Sequence, residues 1–144
     1  MRAALERAAR VVKTEAKAEL GQYQDAAPPL VGWAELAQAT KDQRVALGFT
    51  ENDPGLRSGE MRDGIEHEVE VTAHVGTILH GRATIGSADD KMLWFEIGTE
   101  RQPPRSALGG ALVRKTNEVV DIIGHGAAAA LTGRGATGLA LPLP

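Results

Sequence analysis

Four places in the chain combine residue types that could do chemistry. Gly124-His125-Gly126-Ala127-Ala128-Ala129 has G-x-G-x-x-A spacing and follows the apolar run from Val119 to Ile123. A dinucleotide cradle of that spacing needs a β–α–β unit and an acidic residue about 20 positions later for the ribose. No acidic residue follows Asp121, so these glycines are better read as small residues at a close helix contact or near a frayed helix end. His67, His74, His80 and His125 are the histidines of the chain. A metal site wants pairs at i,i+4 on a helix or i,i+2 on a strand, and these four offer neither. Asp89, Asp90 and Glu96 could form an acid pair, but carboxylates in a first helical turn are already favoured by the helix dipole. Glu66, Glu68 and Glu70 alternate along one strand face, as in a solvated edge or an interface stripe. No serine or threonine stands in a nucleophile elbow, and no Walker-type loop occurs. The residues therefore predict no catalytic centre, no metal and no cofactor.

Composition narrows the field further. The chain has 144 residues, no cysteine, 42% hydrophobic and 3% aromatic residues, 24% charged residues and a net charge of -3. Its length suits one domain, which would bury roughly 68% of its unfolded surface. Without cysteine there is no disulfide scaffold, cysteine–zinc site or thiol nucleophile. No apolar run is long enough to span a membrane. Met1-Arg2-Ala3-Ala4-Leu5-Glu6-Arg7 is charged where a signal peptide needs an apolar core. Arg57, Arg62, Arg82, Arg101, Arg105, Arg114 and Lys115 are scattered and not interleaved with aromatics, which argues against a nucleic-acid surface. The large aromatics are only Trp33, Trp94, Tyr23, Phe49 and Phe95. The core must rely on Leu, Val, Ile and many alanines, which bury little area each. Such a thin core predicts a subunit completed by its neighbours.

The elements that position these residues follow from periodicity. Leu5, Ala8, Ala9, Val12, Ala16 and Leu20 recur at helical steps and predict a helix over residues 1–20, stopped by Gly21. Ala26-Ala27-Pro28-Pro29 is a connector. Trp33, Leu36, Ala37, Thr40, Arg44 and Leu47 predict a helix from Trp33 to Leu47. Asn52-Asp53-Pro54-Gly55 is a strong turn signal. Leu56 to Ile65 reads as one or two helical turns with Ser58 as N-cap. His67, Val69, Val71, Ala73 and Val75 then alternate with Glu66, Glu68, Glu70, Thr72 and His74, a half-buried strand. Ile78 to Ile85 reads as a second strand broken by Gly81, giving a hairpin or short meander. Ser87 to Phe95 predicts a helix capped by Ser87 and stopped by Gly98. Arg105 to Leu131 predicts a long last helix with a seam of Leu108, Leu112, Thr116, Val119 and Ile123, near a 3.5 period. The class is α+β: N-terminal helices, an antiparallel hairpin, a short helix and a long C-terminal helix. Residues 1–132 read as one domain and 133–144 as a Gly/Ala/Leu/Pro-rich tail.

Three ordered segments carry a family resemblance. Leu56-Arg57-Ser58-Gly59-Glu60-Met61-Arg62-Asp63-Gly64-Ile65 resembles an "L-x-T/S-G-x-L-R-x-S-I" segment. After the strand pair and the Gly86-Ser87 turn comes Trp94-Phe95-Glu96-Ile97-Gly98-Thr99, similar to "E-x-G-T". Pro103-Pro104-Arg105-Ser106-Ala107-Leu108 then resembles "P-x-R-x-F-L". This order over about residues 30–131 is similar to the neck, tail-component or tail-completion (virion morphogenesis) proteins of long-tailed bacteriophages. Two positions depart from the pattern: Ala107 stands where the family has an aromatic, and Gly64 where it has serine. Trp94 and Phe95 are expected to refill the volume at Ala107. The residues carrying the motifs are Leu56, Arg57, Gly59, Arg62 and Ile65, then Trp94, Glu96, Gly98, Thr99, Pro103, Pro104, Arg105 and Leu108.

The resemblance implies a non-enzymatic virion protein at the head–tail junction, assembled in the host cytoplasm. Its expected partners are further copies of itself in a six- or twelve-fold ring, and neighbouring connector, stopper, tail-terminator or tail-tube proteins. Genomic DNA would pass through the lumen without specific binding, and Glu66, Glu68 or Glu70 would repel it if they line that lumen. A tail-terminator role is the nearest alternative. A small cytoplasmic regulatory or nucleic-acid-binding module is a more distant one, as is a small hydrolase.

Overall fold

The computed structural model describes residues 1–74 and 77–132, with side chains outside 73–79. Val75, Gly76 and the tail 133–144 lie outside the described residues. The order is α1 (Arg2–Glu19), α2 (Gln38–Ala46), α3 (Glu60–Asp63), β1 (Ile65–His74), β2 (Thr77–Ser87), α4 (Asp90–Ile97) and α5 (Leu108–Leu131). The fold is α+β, with one two-stranded antiparallel sheet and a long last helix.

α1 is the central element and lies against both α5 and the hairpin. Its apolar stripe is buried as its spacing predicts: Leu5, Ala8, Ala9, Val12 and Ala16, joined by Ala4 and by Leu20 at the C-cap. Alanines on one face let helices approach closely. Where α5 crosses the start of α1, Gly126 faces Ala4 so tightly that any Cβ on Gly126 would collide with the Ala4 methyl. Gly124-His125-Gly126 therefore lies inside a continuous helix and not at a helix start; Gly126 is at the close contact, while Gly124 and His125 are exposed.

The hairpin register pairs Ile65 with Ser87, Val69 with Ala83 and Thr72 with His80, with a shift between Thr72 and His74. Alternation sends Ile65, Val69 and Val71 towards α1, while Glu66, Glu68 and Glu70 are exposed on the other face. β2 is not broken at Gly81. There the helix comes close: a Cβ at Gly81 would stand 2.5 Å from Leu5 Cδ1.

The main cluster joins Val12, Ala16, Leu20, Trp33, Ile65, Met92, Phe95, Ala107 and Ala111. Trp33 and Phe95 meet edge to face, with ring centroids 5.2 Å apart. They fill the space beside Ala107, which is fully buried. Trp94 does not share that task, since it is 52% exposed.

Three boundaries and one packing seam differ from the periodicity. α2 begins at Gln38, not Trp33, because Arg105 takes the carbonyls of Ala34 and Glu35 that a helix would need for its own bonds. α3 is a single turn whose N-cap is Gly59, not Ser58. The cap of α4 is Asp89, whose carboxylate accepts from Lys91 N at 2.9 Å, while Ser87 Oγ accepts from Asp89 N. Finally, the predicted α5 seam is half right. Leu108, Val119 and Ile123 pack on the core, but Leu112 and Thr116 are exposed. In the first turns of α5 the buried side is that of Gly110 and Ala111, where Gly110 stands beside Glu19 of α1.

Candidate functional site

The motif residues converge on the junction between α4 and α5. α5 has no side-chain cap from its own N-cap residue, Ala107. Its free N–H groups are satisfied from α4. Glu96 Oε2 accepts from Ala107 N and Leu108 N, both at 2.9 Å, and Oε1 accepts from Gly109 N at 2.8 Å. Ser106 Oγ also donates to Glu96 Oε1. A carboxylate that gathers the first amides of a helix also meets the positive end of its dipole. Glu96 is thus a cap supplied by the preceding helix, not a member of an acid pair with Asp89 or Asp90.

The chain must reverse tightly to bring Glu96 back onto α5. Gly98 makes this possible with φ 77° and ψ 177°. An ideal Cβ there would lie 2.8 Å from Pro104 N and 2.9 Å from Gln102 O, which leaves room for glycine alone. Thr99 and Gln102 exchange backbone hydrogen bonds, and Thr99 Oγ1 accepts from Arg101 N at 3.3 Å. Pro103 and Pro104 are exposed and lead the chain to Arg105. Arg105 N donates to Phe95 O at 2.8 Å, closing the turn. The buried guanidinium of Arg105 donates to Ala34 O from both Nε and Nη2, at 2.9 and 2.7 Å, and to Glu35 O at 3.1 Å. Burial pushes its pKa below the ordinary arginine value, opposed slightly by Tyr23. Leu108 is half-buried against the core.

The first motif forms a second tie. Arg44, also buried, donates from Nε to Thr50 O and from Nη2 to Leu56 O, both at 2.7 Å. Burial, and then the nearby charge of Arg57, lower its pKa. Arg57 itself lies over the Phe49 ring, 5.1 Å from its centroid. Gly59 opens α3 at φ 90°, Arg62 pairs with Asp63 at 3.0 Å, and Ile65 starts β1 fully buried. The two motifs meet through the core cluster, where Ile65 joins Met92 and Phe95. Arg44 shares the helical spacing of Trp33, Leu36 and Leu47, but a cation on a short polar helix gives no sign that its head is buried.

One buried ion pair is also absent from the motifs. Glu19 is 2% exposed, and its Oε1 accepts from Arg114 Nη1 at 2.6 Å. Arg114 Nη2 continues to Asp25 O at 2.7 Å. Glu19 Oε2 is buried with no hydrogen-bond partner. Burial therefore outweighs the attraction of Arg114 and raises the Glu19 pKa from 4.5 to about 7. Glu19 occupies a helical step from Val12 and Ala16, and that position on the apolar stripe was the available signal.

Glu66, Glu68 and Glu70 share the exposed hairpin face, but they are not three free carboxylates. Glu66 is held by Lys13 at 3.0 Å and Lys17 at 4.0 Å, and its pKa is lowered, chiefly by the Lys13 hydrogen bond. Glu70 stands opposite Arg82 in the register. His67 faces α1, with Nε2 3.3 Å from Glu6 Oε2. Among the described residues, no group of three or more His, Asp or Glu is placed to hold a metal ion. Nor is any described helix long and apolar enough to cross a membrane.

Two expected outcomes test this geometry. Gly98→Ala should cost about 3 kcal/mol or more, combining a nearly glycine-only conformation with a backbone clash. Gly48→Ala has φ 78° but nothing within 4 Å, so it should cost only about 1 kcal/mol. Equal losses in urea unfolding would contradict the packed turn. For Glu19, the folded pKa lies above the unfolded one. Its contribution is full below pH 4.5 and is lost as pH rises through about 7. Relative to Glu19→Gln, the wild type should lose on the order of 3 kcal/mol of stability between pH 4.5 and 8. A pH-independent difference between the two proteins would contradict the buried, under-solvated carboxyl.

Comparison with protein-family models, with curated proteins and with solved structures finds no match to this chain. Its function is therefore argued from the junction, the hairpin and the order of the motifs.

Proposed function

We propose that the protein is a structural ring subunit of a phage head–tail junction, a neck or tail-completion protein with no catalytic role. One observation carries this reading: the motif residues act on backbone and helix ends. Glu96 gathers the first amides of α5, Gly98 permits the reversal, and Arg105 ties the junction to Ala34 and Glu35. Together they set the direction of a 24-residue helix against α1. A ring of identical copies closes only if each copy presents its two contact faces at a fixed angle. Residues that hold an angle suit that task.

The surface supports association. Val31, Leu93, Trp94 and Ile97 are between 52% and 67% exposed. Val31 and Ile97, with Leu30 and Pro104, line one concave face beside the α4–α5 junction. Clustered apolar residues of this kind mark contact surfaces. Tail completion is preferred here, with the tail-terminator role as its nearest neighbour in the same assembly. DNA would pass through the lumen of the ring, and the partners would be the adjoining connector and tail proteins.

Two measurements test the reading. Native mass spectrometry and electron microscopy of the purified protein should show closed rings of six or twelve copies. Ile97→Glu should disperse them while changing monomer stability by no more than about 0.5 kcal/mol. A wild type that stays monomeric at its highest soluble concentration would contradict the ring. Phage particles released by cells carrying the gene should contain the protein; particles lacking it would contradict the virion role.

A further inference from the structure

The hairpin has features of an unfinished sheet. β1 is 10 residues long and β2 is 11, neither contains proline, and among the described residues no third strand pairs with either edge. Proteins normally protect such edges with proline, bulges, very short strands or charge. Among the described residues the register shift lies near the tip, between Thr72 and His74, and the protection present along the strands is charge, on Glu66, Glu68 and Glu70. The inner face is covered by α1, which leaves the charged outer face and the edges open.

Charge decides which edges can meet. The exposed face of β1 carries Glu66, Glu68 and Glu70, and that of β2 carries His80, Arg82 and Thr84. Pairing β1 with β1 would set glutamates against glutamates, which is destabilising across strands. Pairing β1 with β2 sets the acidic strand beside the strand that bears Arg82 and His80. It repeats between copies the Glu70–Arg82 apposition within each hairpin.

We propose that the β1 edge of one copy pairs antiparallel with the β2 edge of the next, so that successive hairpins form a continuous sheet between subunits. The occupant of each edge is a second copy of this chain. The main-chain ladder supplies affinity, and the acidic and basic faces supply direction. The contact is head to tail, so it propagates around a ring and does not stop at a two-fold dimer. This proposal rests on the ring reading and adds a strand contact to the apolar contact at Ile97.

The absence of cysteine from the chain makes single-cysteine trapping unambiguous. Glu68→Cys is mixed in turn with His80→Cys, Arg82→Cys and Thr84→Cys, all at exposed positions. After mild oxidation, disulfide-linked dimers are read on non-reducing gels. The wild type is followed in parallel by native mass spectrometry. A disulfide requires Cα atoms within about 7 Å, so it reports direct strand neighbours. At least one mixture should give mixed dimers that outnumber Glu68→Cys self-dimers, alongside wild-type rings. Rings without mixed dimers, or with self-dimers alone, would overturn the edge pairing and leave the ring standing. No wild-type assembly would overturn both.

Discussion

The structure depends on one carboxylate placed at the start of a helix it does not belong to. Glu96 ends α4 and caps α5, with each oxygen bound to backbone N–H groups of residues 107 to 109. The N-cap residue of α5, Ala107, has no side chain that could cap it, and the preceding Ser106 hydroxyl donates to Glu96. Without Glu96, the first amides of α5 would face a partly buried junction with no acceptor. Leaving such donors unsatisfied costs about 1–3 kcal/mol each. The cap therefore couples two helices that the turn at Gly98 alone would only bring close. It also explains why glycine, proline and arginine cluster there: each makes the reversal tight enough for Glu96 to reach.

From that junction the consequences run along α5. Its first turns place Gly110 and Ala111 against α1, and its later turns bring Gly126 onto Ala4. Small residues allow the helices to approach, but they bury little apolar area. The polar ties at Arg44, Arg105 and Arg114 add definition where the core is thin. Glu19 shows the cost of this arrangement. Gly110 leaves space for the Glu19–Arg114 pair, since a Cβ there would stand 2.9 Å from Glu19 Oε2. One oxygen remains without a partner. Buried pairs of this kind define geometry better than they add stability.

Elements with an uninterrupted period were legible from the residues. The α1 stripe and the Glu–Val alternation of β1 lie where their spacing puts them, because local pattern and tertiary burial agree. Positions governed by distant partners were not legible. Trp33 to Ala37 has helical spacing, yet Arg105 draws its carbonyls away from 70 and 71 residues further along. Glu19 and Arg114 are 95 residues apart, and neither periodicity nor composition links them. Leu112 and Thr116 fit the spacing of the seam, but α1 meets the first turns of α5 on the side of Gly110 and Ala111, which leaves both exposed. Glu96 was recognisable as part of a motif, while its role as a cap needed the reversal at Gly98 to be seen.

Glu96 holds the start of α5, and amide hydrogen exchange of Ala107, Leu108 and Gly109 in the wild type and in Glu96→Ala measures that hold. In the wild type these three amides should exchange slowly. In Glu96→Ala they should exchange faster, with protection in β1 retained. Fast exchange at all three in the wild type, or unchanged protection after Glu96→Ala, would contradict it.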